Sequence, residues 1–283
     1  MNRVAGFGST GLERKFKQWV SGWDRLGDQI RFHVKTLTSV REVFLYYRVE
    51  LIRLVAQMSM GVGALAMIGG TVAVIAILTL STGALIAAQG FSQLGQIGVE
   101  ALTGFASAYF NVRILAPLTA EFALAATIGA GATAQLGAMR INEEIDALEV
   151  IGVRAIAYLA SARVLAGLVV VVPFYCVAVV MTFFAARFGT TVVYGQSSGV
   201  YDHYFHTFLN RTDLIWSFAQ VSIASVVIMV IHTYYGFTAS GGPAGVGEAV
   251  GRATRASVLA AVLVTVAITL AVYGQSGNFH LAG

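Results

Sequence analysis

The sequence is poor in charge. Asp, Glu, Lys and Arg together make up 11% of its 283 residues, against about 25% in a soluble domain. So few charges cannot cover a water-exposed globule. Cysteine is almost missing. Cys176 stands alone, which excludes an internal disulfide or a cysteine-based metal cluster, and within its apolar run it reads as a small buried hydrophobe. No Gly-x-x-x-x-Gly-Lys-Ser/Thr string occurs, so the chain has no phosphate loop and is not expected to hydrolyse ATP itself. No HExxH or Ser/His/Asp pattern is found either, so no catalytic residue is assigned. His203 and His206 flank Tyr204 but lack the further ligands a metal site needs. The first 50 residues lack the short apolar core and cleavage site of a signal peptide. The first membrane helix is therefore expected to direct insertion.

What is abundant is apolar. Hydrophobic residues reach 57% and glycine 31 residues. Lipid contact favours the first, and close helix packing in a bilayer favours the second. A span needs roughly 20 apolar residues. Five stretches qualify, at about 56–80 (with a possible continuation to 88), 114–136, 158–184, 214–237 and 256–273. Pro173 falls within the third and should kink it. Residues 83–112 are apolar but interrupted by Gln89, Gln93, Gln96 and Glu100. They read as a broken or re-entrant element that could wall a cavity, or as an outer amphipathic helix. The expected fold class is all-α: a polytopic membrane protein with about five transmembrane helices.

Residues 1–53 form a separate unit ahead of the 54–283 membrane domain. Leu12, Phe16, Trp19, Trp23, Leu26, Ile30, Val34 and Leu37 recur every three or four residues, with Arg14, Lys15, Lys17, Arg25, Arg31 and Lys35 between them. This is the pattern of a basic amphipathic helix lying in the headgroup plane; a soluble helix packed on a partner is the alternative. Ten basic residues precede residue 54. By the positive-inside rule the N-terminus is expected in the cytoplasm and, with five spans, the C-terminal tail outside.

The segment between spans two and three carries the strongest signal. Glu143, Glu144, Asp146 and Glu149 lie within seven residues, while Ile141, Ile145 and Leu148 repeat at helical spacing. This predicts a short amphipathic helix, acidic on one face, which Gly152 would end. A helix of this kind could sit in a groove of an ATP-hydrolysing subunit and pair with its basic side chains.

The stretch Glu143-Glu144-Ile145-Asp146-Ala147-Leu148, with Met139-Arg140 before it and Val150, Gly152, Val153, Tyr158-Leu159 and Arg163–Ala166 after it, resembles the MlaE/YrbE permeases, the membrane subunits of MCE lipid-transport systems. Weaker resemblance extends through Gln89-Gly90-Phe91, Arg113-x-Leu115-x-Pro117 and the Ser240–Gly247 loop. The resemblance implies a permease dimer in the cytoplasmic (inner) membrane. It also implies a pair of cytoplasmic ABC ATPase subunits, which bind the ATP and Mg, and external MCE proteins that receive or deliver membrane lipid. No cofactor is implied in this chain, and no nucleic-acid partner. Arg140, Glu143, Glu144, Asp146, Ala147 and Leu148 map to the ATPase-coupling helix. Gln89, Gly90, Phe91, Leu94, Arg113, Ile114 and Leu115 map near the lipid cavity, together with the span acid Glu121.

The chain departs from the family pattern at three polar positions. Ile114 stands where an acid is common, Ala125-Ala126-Thr127-Ile128-Gly129 replaces a Gly-Arg-x-Gly element, and Gln135 replaces an acid. Ionisable groups in membranes are normally kept for function. Their loss suggests one half of a heterodimer, similar to the actinobacterial YrbE pairs, with fatty acid, mycolic acid, sterol or phospholipid as cargo. Within the spans, Glu121 could face the cavity, pair with Arg113, or be a buried structural acid. His232 reads as a packing histidine rather than a proton relay. An ion-coupled secondary transporter and a non-transporting scaffold are the competing functions.

Overall fold

The computed structural model describes residues 27–60 and 70–274; the Leu12 to Leu26 part of the expected amphipathic helix, and residues 61–69 of the first expected span, lie outside them. Among the described residues every regular element is helical. Three helices precede the membrane bundle: α1 (27–38), α2 (Val40–Tyr46) and α3 (Arg48–Met60). Five long apolar helices follow, namely α4 (Gly70–Gly95), α5 (Glu100–Ile141), α7 (Ile156–Val193), α9 (Arg211–Phe237) and α10 (Gly242–Tyr273). Each is long and apolar enough to cross a bilayer. Two short helices sit in the connections: α6 (Glu144–Val150) and α8 (Ser198–Phe208).

The count of five spans holds, but the first one moves. Its apolar membrane helix covers 71–95 rather than 56–80, and residues 48–60 belong to α3. Residues 83–112 are not re-entrant. They are the end of α4, a turn at 96–99 and the start of α5. The glutamines misled because they lie where two spanning helices approach the polar layer, and composition alone does not separate a helix end from a break.

The bundle core is built from aliphatic and aromatic side chains of all five spans, including Ile75, Leu124, Phe174, Ile228 and Ala261. Lipid solvates the outer faces as well as protein would, so α10 shows Leu259, Leu263 and Leu270 outward at no cost.

The amino-terminal helices lie across one end of the bundle. On α1 one face shows Ile30, Val34 and Leu37 outward. Its other face sets Phe32 against Tyr234 and Phe237 at 5.5 and 5.4 Å between ring centroids. Val43 of α2 and Leu54 of α3 bury themselves against Ala162, Leu165 and Ala166 of α7. The buried Ser161 hydroxyl donates 2.7 Å to the Thr36 carbonyl, tying α1 to α7. α6 lies at this same end, where Arg154 bridges to Glu42 of α2 at 2.5 Å.

α5 is one continuous 42-residue run with two wide π turns, Asn111–Leu115 and Ala125–Gly129. The first ends two residues before Pro117, which has no N–H to give and whose ring crowds the preceding turn; a widened turn relieves both.

Candidate functional site

α6 is short, and tertiary contacts rather than its own length hold it in place. Ile145 is 1% exposed and packs with Leu136 of α5 and Ala155 and Leu159 near the start of α7, with Leu148 beside them. Arg140, at the end of α5, donates to the Asp146 carboxylate at 2.6 Å. The helix ends as its glycine requires. Gly152 adopts φ +84°, its N–H reaches the Glu149 carbonyl at 3.0 Å, and the Val153 N–H reaches Leu148 at 3.0 Å. Those two bonds form a Schellman motif, and the left-handed position suits glycine. Glu143, at the entry, carries φ +61°, an uncommon conformation for a residue with a Cβ. Glu143, Glu144, Asp146 and Ala147 all face solvent, Leu148 is half-buried, and Arg140 is partly exposed. Of the six residues mapped to coupling, Glu144, Asp146, Ala147 and Leu148 lie on α6, Glu143 stands at its entry and Arg140 at the end of α5. Arg140 and Asp146 are engaged with each other.

The residues mapped to a cavity separate into two groups. Gln89, Gly90, Phe91 and Leu94 lie on the last turns of α4, at the end opposite α1. Phe91 stacks on Tyr194 with 5.0 Å between centroids, and Gly90 faces Thr103. Gln89 is exposed. Arg113, Ile114 and Leu115 form part of the first π turn of α5. Arg113 turns toward α9 and α10: its Nε and Nη2 both donate to Asp213 Oδ2, at 3.0 and 2.8 Å. Its guanidinium lies between the rings of Tyr109 (3.9 Å) and Tyr273 (4.2 Å). The Tyr273 hydroxyl completes the group by donating to Asp213 Oδ1 at 3.1 Å. A hollow of about 270 Å³ adjoins this cluster, lined by Arg113, Asn210, Asp213, Trp216 and Tyr273 among others. The α4 group does not line it.

Glu121 is fully buried. Arg113 is not its partner. Thr265 of α10 donates to Glu121 Oε2 at 3.2 Å and Gln220 of α9 to Oε1 at 3.5 Å, while Gln220 also donates to Thr265 at 3.0 Å. His232 is likewise buried between two hydroxyls, Thr133 on Nδ1 at 2.8 Å and Ser257 on Nε2 at 3.0 Å. Gly129 makes room for that imidazole; a Cβ there would lie 2.5 Å from its Cδ2.

These three groups share one plan. Arg113/Asp213/Tyr273, Glu121/Gln220/Thr265 and Thr133/His232/Ser257 each take one residue from α5, one from α9 and one from α10. They form three polar layers along a single three-helix seam. Sequence reading singled out Arg113, Glu121 and His232 and missed their partners. The one available signal was isolated Asp213, Gln220, Ser257 and Thr265 in or beside apolar runs, since polar side chains in membrane helices usually hydrogen-bond across helices.

At the same end as the α4 group, the amphipathic helix α8 packs its buried Tyr201 on α5, and burial pushes that phenol up to about 12. Asp202 accepts both Nε and Nη2 of Arg187, at 2.8 Å each. That pairing holds its carboxyl below the usual carboxylate range. Among the described residues no cluster of metal-binding side chains occurs.

The model of a permease family, MlaE, matches residues 61–271. The Arabidopsis thaliana chloroplast protein TRIGALACTOSYLDIACYLGLYCEROL 1 is 29% identical over 157 residues, which cover 54% of this chain and 44% of that protein. A probable ABC transporter permease protein of Rickettsia bellii is 24% identical over 176 residues, 62% of this chain and 68% of its own. One from Synechocystis is 28% identical over 142 residues, 48% and 52% of the two chains. This chain thus matches less than half the length of the plant relative.

Proposed function

We propose, on the premise that this chain belongs to the MlaE permease family, that it is the membrane subunit of an ATP-driven lipid transporter. The observation that carries the reading is α6: a rigid, acidic, outward-facing helix fixed between two spans at the end where the basic amino-terminal helices lie. An ABC ATPase docked there would supply the ATP and Mg. Its closure would push α6, and the buried Ile145 and the Arg140–Asp146 pair would pass that push to α5 and α7. The names of the Rickettsia and Synechocystis relatives, ABC transporter permeases, support this role.

In this reading the chain crosses the cytoplasmic (inner) membrane with α1 to α3 and α6 on the cytoplasmic side and α8 outside. The exposed Ile30–Leu37 face of α1, bordered by Arg31 and Lys35, fits a helix lying in the headgroup layer. A second permease, in a heterodimer, would complete a lipid cavity walled by the outer ends of α4 and α5. External MCE proteins would exchange lipid there. Work comes from a difference in lipid contact between the two states of that cavity. Glu121 and His232, the candidates of the ion-coupled alternative, are each engaged in interhelical hydrogen bonds.

The test is assembly. The full chain, purified from its own membrane with the bound ATPase, is compared with the Glu143→Lys/Asp146→Lys double variant. Loss of the ATPase from the variant is expected. Undiminished ATPase in the charge-reversed complex overturns the docking role of α6.

A further inference from the structure

The seam holds an acid that no cation balances. Glu121 is 0% exposed, and none of the ion pairs among the described residues includes it. A bare carboxylate at that depth is costly. Its hydrogen-bond donors are neutral: the Thr265 hydroxyl and the Gln220 amide. That hydroxyl can donate to a carboxylate or, rotated, accept from a carboxylic acid, so the pocket fits both protonation states.

The two sides of Glu121 differ. Toward the end where α8 leads into α9, Asp213, Ser217 and Gln220 follow one another at spacings of four and three, and Tyr273, Thr269 and Thr265 of α10 at spacings of four. Each set shares a helix face. Tyr273 bonds Asp213, and Gln220 bonds Thr265, so Ser217 and Thr269 fall between two bonded layers. Helical hydroxyls in this bundle commonly donate to the carbonyl four residues back, as those of Thr79, Thr119 and Thr182 do. The hydroxyls of Ser217 and Thr269 do not: both oxygens are buried without a hydrogen-bond partner. Tyr175 of α7 brings a third hydroxyl against Ser217, also outside hydrogen-bond geometry. Buried hydroxyls left open in a polar row are places for ordered water. The hollow of about 270 Å³ lined by Asp213 and Tyr273 adjoins the outer end of this row. On the other side of Glu121 the seam is dry. Ala125, Ile128, Ala224, Ile228 and Ala261 fill it before the His232 layer is reached.

We propose that Glu121 is a proton-binding site that exchanges with one side of the membrane only, the side α8 faces, through the row of Ser217, Thr269 and Tyr175. In the orientation given above that side is the outside. A site open to one side answers the acidity of that compartment and does not pass protons across. The other titratable groups around it are Arg113, Asp213 and Tyr273 at the outer end of the row, Tyr175 from α7 and His232 beyond the dry layer. α4 contributes none.

The test uses the full-length chain in sealed vesicles. Cys176→Ala removes the single native thiol, and one cysteine is then added at a time. Ser217→Cys lies in the row, Ser225→Cys is equally buried on the inner side of Glu121, and His203→Cys is exposed on α8 and marks its side. A membrane-impermeant methanethiosulfonate is added to one side or the other, and adducts are read by mass spectrometry. Ser217→Cys should react from the side on which His203→Cys reacts, and Ser225→Cys from neither. Infrared difference spectra give the second readout. The wild type should show a protonated carboxylic acid band that Glu121→Gln lacks and that is lost when the pH is raised on the α8 side alone. A silent Ser217→Cys, a Ser225→Cys as reactive as Ser217→Cys, or a band absent from the wild type or untouched by pH on that side overturns the inference. If His203→Cys and Ser217→Cys both react only from the cytosolic side, the site stands and the orientation falls.

Discussion

Arg113 offers the sharpest test of how the seam is built. It was mapped to the lipid cavity, yet its guanidinium is held by Asp213 and two tyrosine rings, and the side chains of the pair are 14% and 12% exposed. Removing one partner of a fully buried pair costs about 3–5 kcal/mol, because the other charge is stranded. The residual exposure here lowers that to about 2–3 kcal/mol for Asp213→Asn. Arg113→Gln loses the same pair and also two ring contacts worth about 0.5–1 kcal/mol each at partly exposed sites, for a total of about 3–5 kcal/mol. The double variant should cost less than the sum of the singles by about 1–3 kcal/mol, because the interaction can be lost only once. The assay is thermal and denaturant unfolding of the full chain in one detergent, read as a double-mutant cycle. Additive singles would refute the pairing. If Asp213→Asn leaves stability untouched while Arg113→Gln strips co-purified lipid, the guanidinium is a lipid ligand and the cage is incidental.

Two further outcomes follow from the same geometry. Gly129→Ala puts a methyl against the His232 ring, and overpacking of this kind costs about 1–3 kcal/mol. The melting temperature should fall, and a Gly129→Ala/His232→Ala double variant should recover part of the loss; no loss in the single variant would show that the α5–α9 contact is looser than drawn. Asp202 has a lowered carboxyl pKa because Arg187 donates to it twice. The pair's contribution is therefore full above the ordinary carboxylate range and is lost as pH falls through the lowered value. Protection of the α8 amides, taken relative to the intrinsic exchange rate at each pH, should be flat across neutral pH and fall only in acid, and Asp202→Asn should abolish that acid step.

Much of the candidate site was legible because it depends on near neighbours in sequence. Ile141, Ile145 and Leu148 repeat at helical spacing, and Gly152 can take a backbone that other residues resist, so α6 and its end follow from about a dozen adjacent residues. Val150 and Ile151 were present in the same stretch, but an aliphatic pair in sequence does not say whether it is buried with Ile145 or left outside. The first span was misplaced for a related reason. Apolar residues run from 54 to 88 almost without a break, and a bilayer-length window can be set anywhere along such a run.

The sequence by itself determined that this chain lives in a membrane, crosses it about five times, and carries one acidic helix between its second and third crossings. Those properties are sums over local composition and helical period. Only the tertiary structure decided that Arg113 meets Asp213, that Glu121 meets Gln220 and Thr265, and that His232 sits between Thr133 and Ser257. Several of those partners lie about 100 or more residues apart in the chain. In an apolar solvent a polar side chain must find a partner, but which one it finds depends on how the helices are rotated against each other, and no local pattern records that.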